Sequence, residues 1–458
     1  MSDLAFSIES SARAGASPMS VRRVLALAWP VMVSMVSYSL MSAADAIFVG
    51  RLGTAPLAAI GLAVTTTWLF LAMPMGLMRG LRVAAAQATG AGRVKDAESL
   101  GWQSLWLAGG VGVLVAVASL VGVRVFLLLG ATPQVAALAQ AYFGIRALAA
   151  PIALVEMGLT SWFEGRGDTV TPMRANVASN ILWIALDAVL VNGFGPVPAL
   201  GIAGAAWAGV IALGVAAIWL LIAAWPTLRA TRFWPDRRLL AESSRLGLPI
   251  GVQRTLDIVA WTVLTGVLAG ISDAQLAAHV VAIRVLMTSF LPGMAIAEAT
   301  AVLVGQSVGA RRPDDAVMAW KSGVKAAMAL MAAGGLTFIL FPDLLLAPFH
   351  VAADVAPIAR NLLAIAAAFQ LLDAIATVTY FSLDGAGDTR FTLKASIVLS
   401  WGVKLPIGVL LARTAGLGAV GAWLGLTAEL VLLLVILVGR WQSRRWYVAT
   451  PASGQAVA

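Results

Sequence analysis

Several side chains able to bind or carry a cation stand inside long apolar runs of this 458-residue chain: Asp45, Arg79, Glu156, Asn180, Asp187, Asp257, Glu298 and Asp373. Charge in such surroundings is expensive and usually faces a cavity or a partner. Asp45 lies near the outer end of the first run and Asp187 in the outer half of the fifth, so the two can share one cavity. Asn180 precedes Asp187 by seven residues, two helical turns on nearly the same face. Two carboxylates in a low dielectric cannot both ionise cheaply. The pair therefore suits a proton, or a sodium ion where other oxygens crowd close. Asp257 and Asp373 stand mid-run in the seventh and tenth runs, matched in depth, and permit a second proton or sodium site. Arg254, one turn from Asp257, is a competing partner. Glu156 and Lys404 are further candidates, in the fourth and eleventh runs. For each of these, packing with a local hydrogen-bond partner is the alternative.

Composition sets the medium. Hydrophobic residues make up 60% of the chain and charged residues 12%, with a mean hydropathy of +0.91, against about 25% charged residues in soluble domains. A soluble protein of this size could not hide so much apolar surface. The chain has no cysteine, which excludes disulfides and thiolate metal sites. Its net charge of +9 comes mostly from short loops between apolar runs, so the partners it implies are membrane lipids rather than nucleic acid. Residues 1–20 are polar, carry no secretory signal pattern and read as a disordered tail, as does the stretch after Thr450.

Twelve apolar stretches are long enough to span a bilayer. They run roughly over 24–49, 56–88, 101–129, 134–163, 172–195, 199–226, 246–270, 275–308, 319–347, 355–383, 392–413 and 416–439. Lys and Arg crowd one side, including Arg93, Lys95, Arg166, Arg311, Arg390 and Arg440, while the other has little beyond Arg51, Arg124, Arg360 and Arg413. The basic side is expected to be cytoplasmic and to carry both termini. Thr227–Arg245, with five arginines, reads as the linker between halves.

The second half repeats the first. "QATGAGRVKDA" from Gln87 returns as "QSVGARRPDDA" from Gln306, "EGRGDT" from Glu164 as "DGAGDT" from Asp384, and "LGIAGAA" from Leu200 as "LGAVGAW" from Leu417. Each half holds six runs, an even number, so both insert the same way up and the repeat is parallel. The fold expected is an all-α membrane protein of twelve transmembrane helices in two six-helix lobes related by a parallel pseudo-two-fold repeat. The divisions expected are a tail 1–20, an N-lobe 21–226, a cytoplasmic linker 227–245, a C-lobe 246–440 and a tail 441–458. A shift of 219 residues takes Arg79 to Glu298, opposite in sign and equal in depth. Near the pseudo-axis they could pair across the lobes as a gate, and Glu298 could also meet a cationic substrate. Local pairing with Arg82 is the alternative. Asp168 and Asp388, in the repeated Gly-Asp-Thr loops, read as helix N-caps. The glycines of 109–113 read as close helix packing. His279 and His350 lack a ligand set, so an enzyme is not supported, and no nucleotide-binding domain is visible.

"AADAIFVGRLGTAPLAAIGLA" from Ala43, "LDAVLVNGFGPVPALGIAGAAWA" from Leu186, "AVLVGQSVGA" from Ala301 and "LDGAGDT" from Leu383 resemble signatures of the multidrug and toxic-compound extrusion (MATE) family, over about residues 20–440. The resemblance implies rocker-switch antiport of organic cations and drugs against protons or sodium ions. It implies no cofactor beyond the coupling ion, small cationic substrates as partners, a monomer, and a bacterial-type inner membrane. Asp45 and Asp187 match the family's N-lobe acidic positions. One turn before the second of these the family often has Asn, and here Trp183 stands there, with Asn180 a substitute. Asp257 and Asp373 match acidic positions of the NorM-type branch, which usually has Glu at the first. The competing function is a flippase for a lipid-linked sugar, whose relatives often have fourteen spans and a basic cavity.

Overall fold

The computed structural model describes residues 19–118, 126–127, 131–196 and 198–448. Most of the two expected tails, the end of the third expected span and Arg124 lie outside the described residues. A backbone in hydrocarbon must satisfy its own polar groups, which selects helices, and the described elements are helical. In the first half they are α1 Val21–Gly50, α2 Thr54–Gly90, α3 Val94–Ala118, α4 Pro133–Leu148, α5 Ala150–Gly165, α6 Val170–Leu190 and α7 Ile202–Leu228. In the second they are α8 Arg237–Ala269, α9 Asp273–Gly309, α10 Pro313–Leu340, the short α11 Pro342–Leu346, and α12 Val355–Ala386. A span over Thr389–Thr414 follows, comprising α13 Thr389–Leu399, a π-helical turn Ser400–Lys404, α14 Leu405–Val409 and a second π-turn Leu410–Thr414. Then come α15 Gly418–Gln442 and α16 Arg445–Val448.

Among the described residues nine helices are long and apolar enough to cross a membrane, and α4 with α5 make a tenth span. The other two spans of the twelve-helix, two-lobe fold are α6 and α8, held below that measure by polar residues such as Asn180 and Asp187 or Gln253, Arg254 and Asp257. The fourth expected span is not one helix, because α4 and α5 meet at a 51° bend. Pro151, at the start of α5, has no N–H to give and its ring would crowd the preceding turn. Gly112 of α3 lies on the Pro151 backbone, where no Cβ would fit. It is the one close-packed member of its cluster, since Gly109 and Gly110 face open space.

The linker is shorter than expected. Asp236 accepts from the N–H groups of Arg238 and Leu239 and starts α8 there, so only 229–236 is outside helix. This stretch is bound to α3. Trp102 Nε1 donates to Leu228 O (2.8 Å) and Trp106 Nε1 to Phe233 O (2.8 Å), while Gln103 Oε1 accepts from Asp236 N (2.9 Å).

The lobes interlock at the basic end. Val24 and Ala28 of α1 are buried in the core of the second half, among Ile296, Val304 and Val378. Reciprocally, Leu239 and Leu246 of α8 are buried in the core of the first half, among Leu81, Leu159 and Leu220. Between α2 and α9, a Cβ at Gly90 would overlap the Gln306 backbone, and one at Gly309 the Gln87 backbone. These are the same contact written twice, once from each repeat. Gly76 and Gly80 of α2 meet Gly251 and Gly247 of α8 just as closely.

Gly90→Ala and Gly309→Ala should therefore each force α2 and α9 apart at the basic end, at a cost of about 1–3 kcal/mol typical of overpacking. The native chain has no cysteine, so spin labels on Lys95→Cys and Lys321→Cys report that separation by pulsed electron resonance. The longer-distance population should grow in both variants.

Candidate ion and gate sites

The interlock carries a charge network. Arg79 Nη2 meets Glu298 Oε1 at 2.7 Å, and Arg82 Nη1 bridges Glu298 Oε2 at 3.2 Å and Glu164 Oε2 at 3.1 Å. Two arginines thus face two glutamates in a buried setting. Arg79 also lies over the Phe381 ring, 4.9 Å from its centroid. A cavity beside the network is lined by Arg79, Arg82, Ile250, Glu298, Phe381 and Asp384. Arg82 and Glu164 join the cross-lobe pair rather than replace it. Below it, Gln87 Nε2 donates to Gly385 O (3.2 Å) and Gln306 Nε2 to Gly165 O (3.3 Å), a reciprocal pair of hydrogen bonds between the lobes.

Asp45 of α1 and Asp187 of α6 come together in the first lobe, near enough to interact directly. Both are buried. Asp45 Oδ1 and both Asp187 oxygens lack a hydrogen-bond partner. Arg146, in the last turn of α4, supplies the nearest positive charge to both, and its guanidinium lies 4.8 Å from the Trp183 ring centroid. The position where an amide would have been a ligand is thus an indole under an arginine. Asn180 does not take over, because its Nδ2 donates to Ser37 Oγ at 2.8 Å, two turns from Asp45 along α1. Three carboxylate oxygens at this site are thus without a hydrogen-bond partner.

In the second lobe Asp257 and Asp373 are not brought together. Asp257 Oδ1 accepts from Ser396 (3.2 Å) and Ser400 (3.4 Å), beside a Lys404–Glu429 ion pair of 3.2 Å. Asp373 accepts instead from Thr377 one turn on (3.1 Å). Arg254 makes no ion pair with Asp257 within 4 Å, the described residues considered. Glu156 on α5 accepts from Thr160 (2.9 Å).

Of the two loop aspartates, Asp168 does cap its helix, accepting from Val170 N and Thr171 N. Asp388 instead pairs with Arg440 at 2.7 Å, because α15 presents a cation there. His279 is buried with Trp423 Nε1 donating to its Nδ1 (3.0 Å), a packing role. Among the described residues no three His, Cys, Asp or Glu gather as a metal site.

Sequence reasoning missed Arg146, Glu164, Gln87, Gln306 and Glu429. For three of these a signal existed: Gln87 and Gln306 open one repeated block, and Glu164 opens another.

A MatE family model matches residues 30–189 and 249–410. A probable multidrug resistance protein NorM of Mesorhizobium japonicum is 31% identical over 94% of this chain and 95% of its own length. One of Deinococcus radiodurans is 32% identical over 93% and 95%. Among solved structures, an outward-facing multidrug resistance MATE family transporter superposes with a TM-score of 0.85 at 23% identity, covering 93% of this chain and 95% of that one. The Vibrio cholerae MATE transporter VcmN in its bent form gives 0.83 at 20% identity, covering 93% and 98%. These structures share the fold.

The charge network makes a test independent of any substrate. Glu298→Arg leaves three arginines against Glu164, and Arg79→Glu leaves three glutamates against Arg82. Breaking a buried pair costs about 3–5 kcal/mol, so each variant should melt well below the wild type in detergent. The double swap restores two charges of each sign, and its melting temperature should recover most of the loss.

Proposed function

The chain belongs to the MatE family of multi-pass membrane transporters, and from that we propose that it exports organic cations and drugs in exchange for protons or sodium ions. It acts as a monomer by rocker-switch alternating access in a bacterial-type inner membrane. The basic end, with both termini, is cytoplasmic in this reading, following the rule that Lys and Arg stay inside. The observation that carries it is the facing Asp45–Asp187 pair, whose orphaned oxygens need a cation. A proton or sodium ion entering from outside neutralises the pair.

In this reading the arrangement is outward-facing, and Arg79–Glu298 and the two glutamine hydrogen bonds close the inner side. Each contact joins the lobes, so each must break when that side opens. The ion pair stabilises little in total, because desolvation offsets it. Its value is that a cationic substrate at Glu298 competes with Arg79 and favours reopening. A lipid-linked sugar carries phosphate and needs a net positive cavity. The acids embedded in the spans, Asp45 and Asp187 among them, favour a cation instead. The relatives named NorM are multidrug resistance proteins by name, and their near full-length match supports the same class of cargo here.

The test is uptake of a fluorescent organic cation into proteoliposomes with a sodium or proton gradient imposed one at a time. Asp45→Asn and Asp187→Asn should each reduce gradient-driven transport by at least about tenfold, within the usual range of coupling energies, with normal insertion. Full activity in both would remove the N-lobe pair from coupling, and loss in Asp257→Asn and Asp373→Asn would move it to the C-lobe.

A further inference from the structure

The second lobe also holds a pair of acids, Glu429 buried and Asp257 half-buried, and its state is the opposite of the first. Glu429 of α15 and Asp257 of α8 converge on the span over Thr389–Thr414 where it makes its first π-turn. Lys404 Nζ lies 3.2 Å from Glu429 Oε2, 3.4 Å from Glu429 Oε1 and 3.1 Å from Ser400 Oγ. The Ser400 hydroxyl touches Glu429 Oε1 and lies 3.4 Å from Asp257 Oδ1, where Ser396 also donates. The Lys404 and Glu429 side chains are only 4% and 9% exposed. The ammonium also stands 5.7 Å from the Trp261 ring centroid, a further cation-binding surface.

We propose that Lys404 is a tethered counter-cation filling a site for a sodium-sized monovalent cation made by Asp257, Glu429, Ser396 and Ser400. Hard cations take carboxylate and hydroxyl oxygens; Glu429 and Ser400 bring such oxygens to the ammonium, and Asp257 and Ser396 stand next to them through the Ser400 hydroxyl. The chain itself supplies the occupant. The ammonium takes the place beside Glu429 and Ser400 that a mobile ion would need. The π-turn aids the placement. Residues four apart drift around an α-helix of 3.6 residues per turn. The wider i→i+5 turn between Ser400 and Lys404 reverses that drift, keeping Ser396, Ser400 and Lys404 directed at the same acids. The first lobe has no such occupant between Asp45 and Asp187, whose oxygens stay orphaned. The two lobes thus hold one site filled by the chain and one left for an ion.

This goes beyond the efflux reading and is tested without transport. Purified protein in nanodiscs is assayed for binding of radioactive sodium, with choline holding the ionic strength constant. Lys404→Met should bind one more sodium ion per chain than the wild type. In choline it should melt lower than the wild type, and sodium should return part of the loss. Adding Asp257→Asn or Glu429→Gln to Lys404→Met should abolish the extra ion. Lys404→Arg, which keeps the charge, should gain none. In the otherwise native chain Asp257→Asn should leave sodium binding unchanged. A folded Lys404→Met with no additional sodium overturns the proposal. So does loss of wild-type sodium binding in Asp257→Asn, a result that decides the matter even where Lys404→Met does not fold. Failure of drug efflux would appear only in the proteoliposome assay.

Discussion

A residue beside a two-fold axis meets its own counterpart, and that constraint governs the basic end of this molecule. Ala86 and Gly305 are repeat equivalents, and a Cβ on the glycine would sit 3.0 Å from the Cβ of the alanine. Small residues satisfy the constraint there, and glycine satisfies it where Gly90 and Gly309 lie on the opposing backbones. A charge cannot satisfy it by repetition. Two like charges about 4 Å apart repel by about 4 kcal/mol at an effective dielectric of 20. The repeat must therefore break its symmetry at Arg79 and Glu298, and it does so by inverting the sign. The asymmetry then spreads. Arg82 needs Glu164, while its counterpart Ala301 needs nothing, and Asp384, the counterpart of Glu164, takes a hydrogen bond from Thr392 (2.7 Å) instead.

The same divergence separates the interiors of the lobes. A buried carboxylate left without a partner is costly, and a stable protein keeps such a group only where something else binds it. In the first lobe Arg146 is close enough to temper the charge of Asp45 and Asp187 but is drawn onto Trp183, so their oxygens stay open. In the second, lysine and serine occupy both oxygens of Glu429 and Oδ1 of Asp257. Duplication produced two similar scaffolds, and single side chains decided which of them keeps a demand for ions.

Much of this was legible in the chain. Hydrocarbon admits so few backbone solutions that apolar runs mark helices, and the local repeat shift of 219 was enough to place Arg79 opposite Glu298. Depth along a helix can be counted; rotation and tilt cannot. That is why Asp257 and Asp373, matched in depth, have different neighbours, and why Asn180 faces Ser37 rather than Asp187. Arg146 and Glu429 both stand mid-run, and only a neighbouring helix gives each its role. Pro151 was in plain view. A proline inside a span does not by itself mark a bend, as Pro30, Pro74, Pro249 and Pro292 lie within continuous helices here. What α3 packs against it, at Gly112, is not written locally.

The bend at Pro151 also gives the two halves unequal stiffness. The fourth span is two struts meeting at 51°, whereas its counterpart in the second half, Val355–Ala386, is one unbroken rod. A rod passes displacement on; a jointed strut absorbs it at the joint. Arg146 sits three residues before that joint and next to the open carboxylates. Neutralising those carboxylates changes the pull on Arg146 where the backbone yields most easily. A change of charge at Asp45 and Asp187 therefore acts beside a joint in the first lobe, where the second has a continuous helix.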